Sequence, residues 1–272
     1  MPFERVNNAR LYYEVTGSGE PMLLVHGSWD DHHNWAAVVP SLSGRFRVVT
    51  FDRRGHSQSE APPAQGSFAE DARDLGVLVE QLGLAPAHIV GNSGGASIAL
   101  RLAAQRPDVF RTLVVHEPPL LDLLRGRPEF EPMLQGFQQR VGAVIALLQA
   151  GDMEAAARQF VENIAFGPGA WETLPEPMRA TFVRNAPTFL DEANDPDGLN
   201  IDLGSLKAFT KPALVSCGTD SAPFFGPIAE LVAQALPRAT VRSLEGAGHV
   251  PHMSHPREYV AMLSQFCQQV GA

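Results

Sequence analysis

Residues 91–95 read Gly-Asn-Ser-Gly-Gly, a G-x-S-x-G pattern between the apolar run AHIV (87–90) and the helical pattern ASIALRLAAQ (96–105). A sharp turn from a strand into a helix needs small flanking residues, because neighbouring backbone comes close to it. Such a turn exposes the Ser93 hydroxyl at the N-terminus of the helix, where backbone amides stabilise an anion. The context therefore favours a serine nucleophile over a glycine-rich turn with an incidental serine.

A general base for this serine is expected later in the chain. The segment LEGAGHVPHMSHP offers three histidines, His249, His252 and His255. The first of them follows the predicted strand TVRSL through small residues, which places it on a loop at the same strand edge as Ser93. The three-residue spacing of these histidines also suits metal ligands. However, Pro251 and Pro256 exclude a continuous helix in this segment, and no carboxylate or cysteine completes a ligand set. We therefore predict His249 as the general base and no metal site.

An oxyanion formed by attack on a carbonyl requires two backbone N–H donors. Gly94, the residue after the predicted nucleophile, is expected to supply one of them. The other is expected from the loop after the apolar run PMLLV (21–25), which continues as HGSW. In that loop we predict Ser28 as the second donor, with Gly27 as the next choice.

Strand-like and helix-like segments alternate along most of the chain. The continuous apolar runs PMLLV and RFRVVTF (45–51) suit strands of a parallel sheet covered on both faces. Ser67 and Glu70 have capping-box spacing at the start of a helical pattern that Gly83 can end. Further strands are predicted at AHIV, RTLVV, PALVSC and TVRSL, and a last helix over 256–270. This alternation predicts an α/β fold with a doubly wound, mostly parallel sheet.

One region interrupts this alternation. Residues 120–205 contain helical stretches such as RVGAVIALLQAG and MEAAARQFVENIAF, with many prolines and glycines and no convincing strand. We predict a core formed by residues 1–119 and 206–272, with 120–205 inserted as a helical cap. Apolar side chains of such a cap are candidates for lining a substrate pocket. The candidates are Trp171, Phe166, Phe189 and Met153.

The motifs LLVHGSW, FDRRGHSQS, GNSGGAS and GAGHVPH occur in this order along the chain. With them the chain resembles the α/β-hydrolase superfamily over nearly its whole length. The resemblance implies an α/β-hydrolase fold and cofactor-independent serine–histidine chemistry. Asp52, in the second motif, matches a loop that is structural in this family, so we do not predict a catalytic role for it.

The acid of the expected triad has two candidates. Most of the superfamily carries it as Gly-x-x-Asp after the penultimate strand, whereas CGTDS places Asp220 one residue early. VVHEPPLL (114–121) instead resembles a smaller branch, including fungal zearalenone lactonases, that takes a glutamate after the strand following the nucleophile helix. Glu117 then lies on the strand edge shared with Ser93, where it can orient His249. We favour Glu117 and keep Asp220 as the alternative.

Further similarities to this branch are Phe224-Phe225, Ser254-His255-Pro256 and Ala170-Trp171. The last of these is what singles out Trp171 among the candidate pocket residues.

Charge and composition exclude some partners. The 272 residues carry a formal net charge of −9 without a lysine or arginine cluster, which disfavours nucleic acid and anionic membranes. Two distant cysteines, Cys217 and Cys267, make no disulfide framework and favour a reducing compartment. There is no apolar run of about 18 residues and no apolar segment in MPFERVNNAR. We expect a soluble, cytoplasmic protein, and a homodimer through the cap helices stays open.

Together these features predict a serine hydrolase that cleaves an apolar small-molecule ester or lactone through an acyl-enzyme. The resemblance points to an aromatic macrolactone such as zearalenone. The same triad could also serve a C–C bond hydrolase or a perhydrolase. A competitor from another class is a hydrolase-derived small-molecule receptor, since some receptors keep an intact triad.

Overall fold

The computed structural model describes residues 2–271, and its centre is an eight-stranded sheet. The strands are β1 Phe3–Val6, β2 Ala9–Thr16, β3 Glu20–Val25, β4 Phe46–Phe51, β5 Ala87–Asn92, β6 Phe110–His116, β7 Ala213–Gly218 and β8 Ala239–Leu244. They lie in the order β1-β2-β4-β3-β5-β6-β7-β8. β2 pairs antiparallel with β1 and β4, and the other pairs are parallel. The predicted mostly parallel sheet is confirmed.

Helices fill the connections between the parallel strands. The α-helices are α1 Val39–Leu42, α2 Phe68–Gln81, α3 Gly94–Gln105, α4 Glu131–Gln149, α5 Met153–Phe160, α6 Ala170–Thr173, α7 Glu176–Asn185, α8 Thr188–Asn194, α9 Phe225–Ala235, α10 Pro251–Ser254 and α11 Pro256–Gly271. Short 3-10 helices lie at His32–Trp35, Pro107–Val109, Leu121–Leu124 and Ser205–Ala208, and a π-helical turn lies at Val161–Ala165. None of the described helices combines the length and apolarity needed to cross a membrane.

The sheet separates two apolar clusters. Leu23 and Val25 of β3 belong to the cluster on one face, which also contains side chains of α2, α3 and α9. Met22 and Leu24 belong to the cluster on the other face, with side chains of α1 and α11. Successive strand residues point to opposite faces, so a strand covered on both faces must be apolar throughout. This explains the continuous apolar runs that predicted the parallel strands.

The predicted capped helix is confirmed as α2. The Ser67 hydroxyl accepts a hydrogen bond from the Glu70 N–H at 3.2 Å. Gly83 follows the helix with a φ of +60°, a conformation that glycine adopts without steric cost. By contrast, the stretch HNWAAVVPSLS (33–43), whose sequence predicts one short helix, is divided between the 3-10 helix His32–Trp35 and the separate helix α1. Pro40 within it has no N–H for a hydrogen bond to the preceding turn, which prevents one continuous helix.

The chain between β6 and β7 forms the helices α4–α8, and no strand lies among its described residues. We call residues 120–205 the insertion. It has an apolar cluster of its own, which includes Phe160, Trp171 and Phe182 and also takes in Trp29 from the loop after β3. The Trp29 ring stacks on Phe160 with centroids 4.7 Å apart and contacts Phe189 at 5.3 Å. The insertion therefore packs directly on the loop that contains Ser28.

Candidate active site

Ser93 occupies a tight turn between β5 and α3. Its backbone has φ +55° and ψ −124°, a region that a non-glycine residue rarely adopts. A Cβ on Gly91 would lie 2.4 Å from the Gly95 carbonyl oxygen, and one on Gly95 would lie 2.2 Å from the Val25 carbonyl oxygen. The Ser93 N–H donates to the His116 carbonyl at 2.9 Å, which ties the turn to the end of β6. Small residues are thus required on both sides of the serine.

We expect Gly95→Ala to lower the free energy of unfolding by at least about 2 kcal/mol, because the new methyl group has to displace backbone of β3. Gly142→Ala is the matched control, since Gly142 lies in the interior of α4 and a Cβ added there would meet no atom within 4 Å. That variant should gain about 0.5–1 kcal/mol from helix propensity. Chemical denaturation of both variants measures the difference; equal stabilities would show that the turn relaxes freely.

His249 and Glu117 form a hydrogen-bonded pair. The His249 Nδ1 lies 2.6 Å from Glu117 Oε2, and the other carboxylate oxygen accepts from the Gly218 N–H at 2.7 Å. Glu117 is fully buried and has a φ of +49°. Burial alone would raise the pKa of Glu117, but the hydrogen bond and charge of His249 hold it below its ordinary value. The pair is therefore a carboxylate that fixes the imidazole and can stabilise its cation.

Asp220 lies apart from this pair. It is exposed, its N–H donates to the Ala247 carbonyl, and its carboxylate accepts from the Thr219 hydroxyl at 3.4 Å. A Cβ on Gly218 would lie 2.0 Å from the Ala247 carbonyl oxygen, so the shortened turn runs close against the loop that leads to His249. The carboxylate that contacts the imidazole is that of Glu117, at the end of β6.

Ser93 and His249 face the same cavity. The loop that carries His249 is held to the serine turn because the Asn92 Nδ2 donates to the His249 carbonyl at 2.9 Å. The Phe225 ring stacks on the imidazole with centroids 4.9 Å apart and an angle of 17° between planes. The Ser93 hydroxyl makes no hydrogen bond to another described residue. In free enzymes the hydrogen bond between nucleophile and base is often long and tightens only when substrate binds.

The backbone amides of Ser28 and Gly94 are available as donors. Neither N–H is taken by an acceptor within the described part of the chain. Gly27 lies against the serine, since a Cβ on it would be 3.1 Å from the Ser93 Cβ. Its carbonyl accepts from the Arg53 guanidinium at 3.2 Å, which fixes the orientation of this loop. The predicted donors thus lie on the loop after β3 and at the first residue of α3, directly after Ser93.

A cavity of about 330 Å³ opens beside Ser93 and His249. Much of its wall is apolar, and the residues that supply it come from both the core and the insertion. They include Phe68, Leu121, Phe137, Val141, Phe160, Ile164, Phe189, Leu199, Phe224 and Phe225. A smaller pocket of about 20 Å³ adjoins it and is lined by Ser28, Asp30, Ser93, Phe166, Phe182 and His249, among others. Two spaces of different size and lining therefore meet at the serine.

The four candidate pocket residues divide into two groups. Phe189 lines the large cavity and Phe166 lines the small pocket. Trp171 and Met153 line neither of them, which differs from the sequence-based prediction. Both pack in the apolar cluster of the insertion, and Trp171 borders a shallow depression on its outer surface. They are removed from the cavity because their side chains face other helices of the insertion.

Sequence reasoning missed a charged group in the cavity wall. Glu192 of α8 lines the cavity and pairs with the buried Arg53 at 3.0 Å. Arg53 also pairs with Asp71 at 2.6 Å. Burial raises the pKa of Glu192, and the charge of Arg53 opposes that shift. The ion pair ties the insertion to the core beside Ser28, and the polar sequence around Glu192 gives no sign of this contact.

Phe225 is a second site residue that sequence reasoning missed, since the pair Phe224-Phe225 enters there only as a similarity to other proteins. Nothing in an apolar pair after a turn indicates that one ring will stack on a histidine from a later loop.

A group of metal-type ligands lies outside the cavity. Ligand atoms of Asp31, His32 and His33 are within 4.8 Å of one another. The His32 Nδ1 contacts Asp52 at 2.6 Å, and the Asp31 carboxylate accepts from the His33 N–H and the Ser57 hydroxyl at 2.9 Å each. These hydrogen bonds cap the 3-10 helix at His32–Trp35 and hold the loop after β4. They account for the cluster as a structural feature of the fold.

Comparison with known proteins shows the family to which the chain belongs. A family model described as the alpha/beta hydrolase fold matches residues 20–256. The chain therefore belongs to this family and is a hydrolase of the α/β fold.

Individual relatives and structures are similar over different lengths. The chain is 39% identical over 124 residues to the hydrolase YraK of Bacillus subtilis, a match that covers 45% of this chain and 46% of YraK. An alpha/beta hydrolase structure from Sphaerobacter thermophilus has a TM-score of 0.78 at 26% identity, covering 97% of this chain and 99% of that one. The enol-lactonase structure from Burkholderia xenovorans has a TM-score of 0.79 at 23% identity, covering 98% and 100%. At 23% identity, the similarity to the enol-lactonase structure shows only a common fold.

Proposed function

We propose that the protein is a serine hydrolase that cleaves carboxylic esters or lactones through an acyl-enzyme. The observation that carries the proposal is the 2.6 Å contact between His249 Nδ1 and Glu117 Oε2 at the cavity that Ser93 also lines. A serine hydroxyl is a weak nucleophile until an adjacent base takes its proton. A buried carboxylate that accepts from the imidazole Nδ1–H holds the tautomer in which Nε2 is free to take the serine proton.

In the first half of the reaction Ser93 Oγ attacks the carbonyl carbon, and its proton passes to His249 Nε2. The N–H groups of Ser28 and Gly94 donate to the oxyanion. The imidazolium then protonates the leaving alcohol as the acyl–oxygen bond breaks. In the second half His249 takes a proton from water, whose oxygen attacks the acyl-enzyme, and the proton returns to Ser93 as the acid leaves. With a lactone, the alcohol stays attached to the acyl chain until this second step.

The cavity supports an apolar substrate. Its volume falls at the lower end of the range for small-molecule sites, about 300–1,000 Å³, and aromatic side chains form much of its wall. The insertion supplies part of that wall and so acts as its roof. The fold shared with an enol-lactonase is compatible with lactone cleavage. The resemblance of VVHEPPLL to the zearalenone-lactonase branch makes an aromatic macrolactone the first lactone to test.

The test is steady-state hydrolysis of a panel that runs from short p-nitrophenyl esters through simple lactones to zearalenone, with a Ser93→Ala protein beside the wild type. Sustained turnover of any member by the wild type alone supports the proposal. A strong preference for zearalenone supports the macrolactone as substrate. Absence of turnover on the whole panel, or equal rates in both proteins, would contradict the proposal.

A further inference from the structure

Asp30 lies two residues beyond Ser28 and lines the small pocket beside Ser93 and His249. It is 8% exposed, and its carboxyl group makes no hydrogen bond within the described residues. These oxygens are not fully enclosed by protein, so a molecule that enters the small pocket can hydrogen-bond with them. An acid without a protein partner at the wall of a reactive site is a candidate for contact with the substrate.

The neighbouring acid, Asp31, has a structural role in this loop, and Asp30 differs from it. The Asp31 carboxylate accepts hydrogen bonds from the His33 N–H and the Ser57 hydroxyl, both at 2.9 Å, and so caps a helix. The backbone at Asp30 is already held, because Asn185 Nδ2 donates to its carbonyl at 2.8 Å and to the Trp29 carbonyl at 3.1 Å. The loop thus keeps its conformation without help from the Asp30 side chain.

The groups around Asp30 determine whether its carboxyl group is protonated when a ligand binds. Burial raises the pKa of Asp30 well above its ordinary value, the nearby Asp31 raises it further, and Arg53 opposes the shift. The protonated form is a neutral group with one O–H donor and a carbonyl acceptor. The rest of the small pocket includes the aromatic rings of Phe160, Phe166 and Phe182. The other polar side chains of this pocket are those of Ser28, Ser93 and His249 at the reacting centre and that of Asn92, whose Nδ2 donates to the His249 carbonyl. The Asp30 carboxyl group is therefore the one left to select a matching polar group on a ligand.

We propose that Asp30 is a specificity-determining residue that hydrogen-bonds a hydroxyl group on the smaller substituent of the scissile ester. The large cavity then takes the bulkier apolar part, since the two spaces meet at Ser93 and share Ser28, Phe160 and His249. A hydroxyl group both donates and accepts, which matches both halves of a neutral carboxyl group. A substrate carboxylate at this position would lie close to a second acid, Asp31, and is disfavoured. This inference rests on the proposed ester-hydrolase function.

The test uses two matched pairs of esters that differ by one hydroxyl group. In the first pair, 1-naphthyl lactate and 1-naphthyl propionate, the hydroxyl is on the acyl side. In the second pair, 2-hydroxypropyl and propyl 1-naphthoate, it is on the alcohol side. The ratio of kcat/KM within a pair is independent of how much protein is correctly folded. Wild type is compared with Asp30→Leu, Asp30→Ala and Asp30→Asn.

For the wild type we expect a preference of at least about tenfold for the hydroxylated ester in one of the pairs, since a site built for a hydroxyl group rejects the analogue without it. Asp30→Leu and Asp30→Ala should reduce that ratio to about one. Asp30→Asn should keep most of it, because an amide also donates and accepts. A wild-type ratio near one in both pairs, or an unchanged ratio in the leucine and alanine variants, would overturn the role of Asp30 alone. Failure of the wild type to turn over any of the esters would overturn the proposed function, and this inference with it.

Discussion

Replacement of Ser93 by alanine is expected to lower kcat by at least about 10⁴-fold on any ester that the wild type turns over. The alanine variant has no oxygen that can form the acyl bond, and the remaining oxyanion donors and binding surface account for little rate on their own. The fold should be unaffected, because the Ser93 hydroxyl makes no hydrogen bond within the described residues and alanine keeps the Cβ that packs against Gly27. Steady-state kinetics and a thermal melt of both proteins measure the two effects.

Ser97 offers a matched control one turn further along α3. It is fully buried, and its hydroxyl has no hydrogen-bond partner among the described residues. Ser97→Ala removes the same kind of hydroxyl group at a position inside α3 and away from the cavity, so kcat should stay within about twofold of wild type. Equal losses in the two variants would mean that activity depends on the helix rather than on a nucleophile at Ser93.

Replacement of Glu117 by glutamine is expected to lower kcat by about 10³-fold or more, with a much smaller change in KM. The amide cannot stabilise the imidazolium, and its NH₂ group favours the wrong tautomer of His249. The pKa of Glu117 lies below its ordinary value, so the wild-type carboxylate is ionised at neutral pH and the variant removes a full charge. Rates measured at neutral pH across the same esters give the effect.

Asp220→Asn is the control that separates the two candidate acids. Asp220 is exposed and its carboxylate contacts the Thr219 hydroxyl, so the variant should retain kcat within about twofold. A large loss in Asp220→Asn together with a small one in Glu117→Gln would contradict the pairing seen at His249. Because both substitutions exchange a carboxylate for an amide of the same size, any difference between them reflects position.

The positions of Ser93 and Glu117 could be predicted from the sequence because each follows a strand of the parallel sheet. β5 and β6 are neighbours in a parallel sheet, so residues that follow them emerge side by side at one edge. This shared edge brings Glu117 close to Ser93 before any side chain is placed. The sequence did not decide between Glu117 and Asp220 as the triad acid. The turn at Asp220 is one residue shorter than usual, and such a difference changes which side chain faces the imidazole. The structure distinguishes them by a hydrogen bond and by exposure.

The lining of the cavity could not be predicted in the same way. The helices of the insertion carry aromatic side chains on several faces, and their packing decides which of them reach the cavity. Phe189 reaches it, whereas Trp171 is buried among the helices of the insertion. The sequence likewise does not show which of the adjacent acids Asp30 and Asp31 borders the small pocket. The Asp31 carboxylate accepts from the nearby His33 N–H and also from the hydroxyl of Ser57, which lies in a loop that follows a different strand.

The central claim is that Ser93 is the nucleophile, and covalent labelling tests it most directly. The protein would be treated with a fluorophosphonate, which forms a stable bond to an activated serine, and the modified residue would be located by peptide mass spectrometry. We predict one label per chain, on Ser93, absent from Ser93→Ala and formed much more slowly in His249→Ala. A label on another serine, or undiminished labelling without His249, would contradict the claim.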